Sequence, residues 1–239
     1  MTERQIEKGF WYFDGKNNFP PTAIKSIKDY KEEKFLCIST DDKKEIKEWI
    51  KCLPNLNRVK FLWTIRNVGQ DFFDNICKMK NLVGLNINMS SVKNIENLIQ
   101  LESLLYLKLD GFTKIDNISV LQKMTALKVL ELVNFKKISD FNAVENLVNL
   151  EQISICGSMW TRQKIENLNP LANLVNLKTL FLINTQTVNP NFDPLTKLIN
   201  LVTICSSLNY PNLEYEKLLQ LPKLKYSNYL FPPYGKNEN

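Results

Sequence analysis

The sequence predicts an α/β solenoid, with short parallel strands on a concave face and short helical or 3-10 segments on the convex face. Three observations predict it. The pattern Leu-x-x-Leu-x-Leu, with Ile, Val or Phe admitted, recurs along the chain. Its copies are almost evenly spaced. Within each copy the apolar period lengthens from that of a strand to that of a helical turn.

The copies read LNRVKF from Leu56, LVGLNI from Leu82, LLYLKL from Leu104 and LKVLEL from Leu127. They continue as LEQISI from Leu150, LKTLFL from Leu177 and LVTICS from Leu201. The first leucines are 26, 22, 23, 23, 27 and 24 residues apart. A degenerate copy, LKYSNY, starts at Leu224, and Leu36 and Ile38 lie 23 residues before Val59 and Phe61. Leu107-Lys108-Leu109 alternates like a strand with one buried face. Ile115, Ile118, Leu121 and Met124 follow at the spacing of a 3-10 or helical segment on the outer side. No unit of this length buries its own apolar edge, so the units must stack around one shared core.

A stack exposes core at both ends, which calls for caps. Residues 1–53 are read as an N-terminal capping region that includes the first degenerate repeat. Within it GFWYFDG at 9–15 reads as a strand and turn. KKEIKEWIKCL at 43–53 places Ile46, Trp49, Ile50 and Leu53 on one helical face. Repeats fill 54–230, and the last one forms the C-terminal cap with Leu218, Leu219, Leu221 and the aromatic stretch Tyr226–Tyr234. Residues 231–239 are a tail, and its GKNEN end is expected to fray.

Seven consecutive matches in near-constant register resemble the leucine-rich repeat family, over roughly residues 33–230. The segments TKIDNISVLQKM at 113–124 and KKISDFNAVENL at 136–147 are similar to the short, internalin-like class. The resemblance implies a leucine-rich-repeat solenoid, an arc or horseshoe, that recognises proteins through its concave face. One family position departs. The buried Asn or Cys expected three residues past the last strand leucine is Thr64, Ser90, Phe112, Phe135, Ser158, Thr185 and Asn209. Hydroxyls can bond the turn backbone. Phe112 and Phe135 cannot, so they are expected to stack on each other while other groups satisfy those turns.

Composition narrows the function. The 239 residues are 44% hydrophobic and 23% charged, too apolar for a disordered chain. Histidine is absent, which removes imidazole-based hydrolysis and His-ligated zinc. Cys37, Cys52, Cys77, Cys156 and Cys205 are odd in number and form no C-x-x-C pair, so free thiols are expected. There is no Gly-rich phosphate loop, metal-ligand spacing or nucleophile elbow, and no cofactor or metal is expected. No run suits a membrane span, and MTERQIEKGF has no apolar signal core, which predicts a soluble cytoplasmic monomer. The net charge of +6 is uneven: residues 51–100 carry seven basic and three acidic residues.

Alternation assigns outward-facing concave side chains. From these, Arg58, Lys60, Asn86, Asn88, Tyr106, Lys108, Asp110, Glu131, Phe181 and Ile183 are candidate partner-binding residues. Phe181 and Ile183 make sense facing outward only if something covers them. The 26-residue unit adds TIRNVGQDFFDN after Trp63, whose place is open between rim and core. The 27-residue unit adds GSMWTRQKIEN and puts Trp160 and Arg162 on the rim, residue types common in hot spots. The predicted function is a non-catalytic protein-binding module, an adaptor or inhibitor. One version is an immunity-type inhibitor covering the active surface of a toxin or effector. Nucleic-acid binding through Arg58, Lys60, Arg66 and Tyr106 is the alternative, opposed by the interspersed Asp110 and Glu131. An enzyme would have only Asp110 and Glu131, which Lys108 is placed to neutralise.

Overall fold

The computed structural model describes residues 1–12 and 21–227. Its strands are β1 (Ala23–Ile24), β2 (Phe35–Ile38), β3 (Phe61–Thr64), β4 (Gly84–Asn88), β5 (Tyr106–Asp110) and β6 (Val129–Val133). After these come β7 (Gln152–Cys156), β8 (Gln163–Ile165), β9 (Thr179–Leu182), β10 (Thr185–Thr187), β11 (Thr203–Ser206) and β12 (Tyr226–Ser227). Ten of them form one parallel sheet in the order β1-β2-β3-β4-β5-β6-β7-β9-β11-β12. β8 and β10 pair separately, beside the exit of the long repeat. Short 3-10 segments such as Glu96–Gln100, Ser119–Lys123 and Asp193–Lys197 return the chain along the convex side.

The ladder explains the register. Leu62, Leu85, Leu107, Leu130, Ile153, Leu180 and Ile204 occupy one cross-strand row and all are buried. Each such side chain contributes about 1.5–3 kcal/mol of burial, which no isolated coil could collect. Met89, Gly111, Asn134 and Asn184 each hold a left-handed φ, at 67, 75, 61 and 52°, in the turns leaving β4, β5, β6 and β9. The repeat is thus written into the backbone as well as the side chains.

The first repeat differs from its sequence reading. Phe61 pairs with Gly84, Leu62 with Leu85 and Thr64 with Ile87. The unit is therefore VKFLWT from Val59, not LNRVKF from Leu56, and Val59 lies 23 residues before Leu82. The 26-residue spacing belongs instead to the step from Leu36 to Leu62. TIRNVGQDFFDN is no insertion. It contains the ordinary return of this coil, the helix α3 (Gln70–Ile76), which buries Phe72, Phe73 and Ile76. Three consequences follow for the candidates. Arg58 lies before the strand, exposed and 2.9 Å from Glu32. Lys60 sits at the leading edge of the sheet, where its carbonyl accepts from Val83 and Gly84. Trp63 takes the concave position. In the turn of this coil Val68 bridges to Ser90 where the Asn-like position was sought at Thr64.

Phe112 and Phe135 stack as expected, with centroids 5.7 Å apart and planes 5° from parallel, and Phe73 meets Phe112 edge-on at 6.1 Å. The turn at Phe135 is satisfied by Gln163, which is buried. Its Oε1 accepts from Phe135 N at 2.9 Å, and its Nε2 donates to the carbonyls of Ile138 at 2.7 Å and Phe135 at 3.2 Å. The long repeat thus supplies the amide that the preceding turn lacks.

The helix α2 (Lys43–Cys52) forms over the predicted segment, capped by Asp42, whose Oδ1 accepts from Lys44 and Glu45 N at 2.8 and 3.0 Å. Trp49 is buried, and its Nε1 donates to Lys25 O at 2.9 Å, tying helix to edge strand. The far end is closed by α4 (Asn212–Leu218), whose Tyr215 packs edge-on against Phe192 at 5.0 Å. The edge strands β1 and β12 are two residues each. The predicted aromatic cap beyond Ser227 and the 231–239 tail lie outside the described residues. The sequence-assigned N-terminal region divides in two: 23–53 stacks as the first coils, whereas 1–12 leaves the stack. Residues 9–12 form a turn, with Tyr12 N donating to Gly9 O at 3.1 Å, rather than a strand. The remainder of GFWYFDG is outside the described residues.

Removing the Gln163 amide should test the turn. Gln163→Ala orphans the Phe135 N–H and the Ile138 carbonyl, at about 1–3 kcal/mol for each buried group. Urea unfolding should show a lowered midpoint with an unchanged slope.

Candidate functional site

The concave face carries two long outward rows and a short third one at the strand exits, Asn88, Asp110, Val133 and Cys156. The first runs Phe35, Phe61, Gly84, Tyr106, Val129, Gln152, Thr179, Thr203 and Tyr226. The second runs Cys37, Trp63, Asn86, Lys108, Glu131, Ser154, Phe181 and Cys205. In the first row Phe61 stacks on Phe35 at 5.0 Å and reaches Tyr106 at 6.0 Å. It does so by lying across Gly84, where an added Cβ would stand 2.3 Å from the Phe61 ring. The result is an aromatic shelf at the N-terminal end of the face.

Residues 1–12 cover the middle of these rows. The helix α1 (Glu3–Lys8) is held by a capping box: Thr2 Oγ1 accepts from Gln5 N at 3.2 Å and Gln5 Oε1 accepts from Thr2 N at 2.9 Å. Thr179 Oγ1 donates to Ile6 O at 2.7 Å. Gly9 ends the helix at φ +98°, and a Cβ there would stand 3.0 Å from the Phe181 ring. Phe10 then stacks on Tyr106, with centroids 4.2 Å apart and planes 9° from parallel, and donates its N–H to Gln152 Oε1 at 2.8 Å. Trp11 meets Trp63 edge-on at 5.2 Å. Phe10, Trp11, Cys37, Trp63 and Val129 make a small apolar cluster separate from the solenoid core.

Beneath this arm lies a polar network. Gln152 Nε2 donates to Glu131 Oε1 at 2.6 Å, and Lys108 Nζ lies 3.3 Å from Glu131 Oε2. Burial pushes the Glu131 carboxyl above the usual carboxylate range, against the pull of Lys108 and Gln152, and Asp110 adds to the rise. Burial also raises Asp110 itself, opposed by Lys108. The Cys156 thiol is pushed up to about 11 by burial, which keeps it protonated. Among the described residues no group of three His, Cys, Asp or Glu is placed to hold a metal ion.

No known protein family profile and no curated protein sequence matches the chain. Among solved structures it is similar to internalin C2 of Listeria monocytogenes, with a TM-score of 0.57 and 22% identity over 73% of each chain. A second internalin of that organism, inlF, gives 0.53 and 21%, covering 82% of this chain and 67% of the other. The plant peptide hormone receptor RGFR1, in complex with RGF2, gives 0.53 and 15% over 80% of this chain and 30% of the receptor. The fold is that of the leucine-rich repeat proteins.

On the leucine-rich-repeat scaffold the candidate residues separate into groups. Tyr106, Lys108, Glu131 and Phe181 come together at the arm, and Phe181 finds there the cover its outward position required. Asn86, also in the second row, is 1% exposed and its Oδ1 has no hydrogen-bond partner among the described residues. Asn88 and Asp110 pair in register at the strand exits, partly buried. Trp160 stands 90% exposed two residues before the exposed Arg162, and Ile183 remains 48% exposed, its carbonyl accepting from Gly157 N. Arg58 and Lys60 belong to no concave row, contrary to their expected outward place on that face. Gln152, Thr179 and Trp63 are concave contacts that the candidate set lacked. The arm was foreshadowed only by the Thr2-x-x-Gln5 spacing of a capping box.

The Glu131 shift has a signed consequence. A folded-state pKa raised above the unfolded value leaves the group's contribution complete below the unfolded value, and it is lost as pH rises through the folded one. Glu131→Gln removes that loss. The melting temperature of the variant minus that of the native chain should grow as pH rises above the ordinary carboxyl value of about 4.3, read by scanning calorimetry at fixed ionic strength.

Proposed function

We propose that the chain is a non-catalytic protein-binding module, an adaptor or inhibitor, whose partner engages the C-terminal half of the concave face and the adjoining rim. One observation carries this reading: large apolar side chains are left uncovered around the paired strands β8 and β10. Met159, Trp160 and Val188 are 87, 90 and 82% exposed and Ile183 is 48% exposed. Backbone ties together the segments that carry them. Gly157 N donates to Ile183 O at 2.9 Å, Asn184 Nδ2 donates to the carbonyl of Ser158, and β8 pairs with β10 just before Val188. An exposed Trp in an ordered loop beside Arg162 suits a protein hot spot. The plant receptor of like fold, solved with its peptide hormone, supports peptide or protein recognition by such a scaffold.

The alternatives lose their carriers. Of the residues that favoured nucleic acid, Arg58 pairs with Glu32, Arg66 lies 3.5 Å from Asp41, and Tyr106 is under Phe10. Of the carboxylates that favoured an enzyme, Glu131 is buried and engaged by Lys108 and Gln152. An immunity-type inhibitor would act by occupying its partner, with the apolar rim as its contact.

Affinity capture from a lysate, with the native chain and Trp160→Ala as parallel baits, tests the reading. A protein held by the native bait should be depleted roughly 30-fold or more with the variant, the scale of a hot-spot truncation. Thermal stability should be unchanged, because the side chain is 90% exposed. Equal capture by both baits would take the site off the rim. Retention of nucleic acid that falls steeply with salt would replace the protein partner.

A further inference from the structure

We propose that the concave face is a receptor for a peptide segment of a partner protein carrying a Gly-aromatic-aromatic element after a helical turn, and that residues 1–12 are its displaceable intramolecular stand-in. The inference rests on the protein-binding reading above and adds the ligand chemistry to it.

The arm is seated on the face as a ligand is, not as part of the core. The main core runs from Leu36 to Leu221 and contains no residue of 1–12. α1 buries no side chain and has six residues, too few to be helical on its own. The contacts that hold the arm include several that read it. Thr179 donates to the Ile6 carbonyl, Gln152 accepts from the Phe10 N–H, Tyr106 stacks on the Phe10 ring and Trp63 meets the Trp11 ring, while the Met1 amine lies 3.9 Å from Glu151. Gly9 is required by its φ and by the nearness of Phe181. Together these specify glycine, then aromatic, then aromatic. The Lys108–Glu131–Gln152 network sits inside the face and does nothing for the leucine core. It fixes Gln152 so that Oε1 is turned to a donor.

The arm also fits incompletely. A cavity of about 420 Å³ remains between it and the sheet, bordered by Lys108, Ser154, Phe181, Ile183 and Cys205. A second copy of this chain would bring an identical arm. It would gain nothing over the one supplied in cis, whose binding is intramolecular. A different protein gains by filling the cavity, so a foreign segment is the occupant assigned.

The test uses the full chain, native and as the Phe10→Ala/Trp11→Ala variant, with a fluorescein-labelled peptide of residues 1–12 as probe. The variant should bind the peptide saturably, and the native chain should bind it roughly tenfold more weakly or less, because its own arm competes. Peptide-display selection on the variant should enrich Gly-aromatic-aromatic sequences that compete with the probe and that lose binding when Tyr106→Ala or Gln152→Ala is added. A folded variant that ignores the probe, equal binding by both chains, or selection without that element would overturn the proposal. So would dimerisation by arm exchange in sedimentation. If the variant does not fold, hydrogen exchange on the native chain decides. The Phe10 amide should exchange at least ~100-fold faster than that of Leu107, through arm opening; equal protection makes the arm structural. None of these readouts involves the rim, so loss of capture with Trp160→Ala and failure of the peptide test are separate results.

Discussion

Every coil of this solenoid has an apolar edge that it cannot bury alone, and that constraint organises the rest. Stacking forces the inward row to be aliphatic from Leu62 to Ile204 and forces the strands into one register. The outward rows are released from core duty by the same geometry. They can therefore hold Asn86, Lys108, Glu131 and Gln152 in the middle of a sheet without disturbing its packing. Where the consensus turn amide is missing, the constraint is met from the next coil. Phe112 and Phe135 continue the apolar stack, and Gln163 bonds the backbone that a buried Asn would otherwise have bonded.

The stack was legible in the sequence because each coil repeats the same instruction. The first coil was legible only in part, and the slip has a physical cause. Leu56, Val59 and Phe61 satisfy the apolar pattern as well as Val59, Leu62 and Thr64 do. A large apolar concave residue, Phe61, imitates an inward leucine, while a small polar inward residue, Thr64, hides one. Cross-strand pairing separates the two, since Phe61 lies against Gly84 and Leu62 against Leu85. The slip of three residues places Arg58 and Lys60 on the concave face, and the cross-strand pairing takes both off it.

The arm was beyond local pattern. Phe10 meets Gln152 across 142 residues and Thr179 meets Ile6 across 173, distances over which no periodicity speaks. Only its near end, the capping box at Thr2 and Gln5, is a local signal. The other trace lay on the receiving side. Phe181 faced outward with no partner in its own coil, which required a cover without saying what supplied it. The exposed Trp160 could be placed from its polar neighbours, because a loop insertion in a solenoid has only the rim to occupy.

The Lys108–Glu131–Gln152 network is the least expected feature of the face, and its chemistry narrows what the face reads. A buried ion pair is seldom more stabilising than apolar residues of the same volume, so the leucine stack does not account for it. Gln152 alone could present either end of its amide. Glu131 is an acceptor and takes Nε2, which leaves Oε1 to face the occupant, and Lys108 holds the carboxylate that makes this choice. The position therefore accepts from an N–H and turns away a carbonyl. It does so one strand from a threonine hydroxyl that donates to a carbonyl. Donor and acceptor on adjacent strands match the alternating polarity of a peptide backbone.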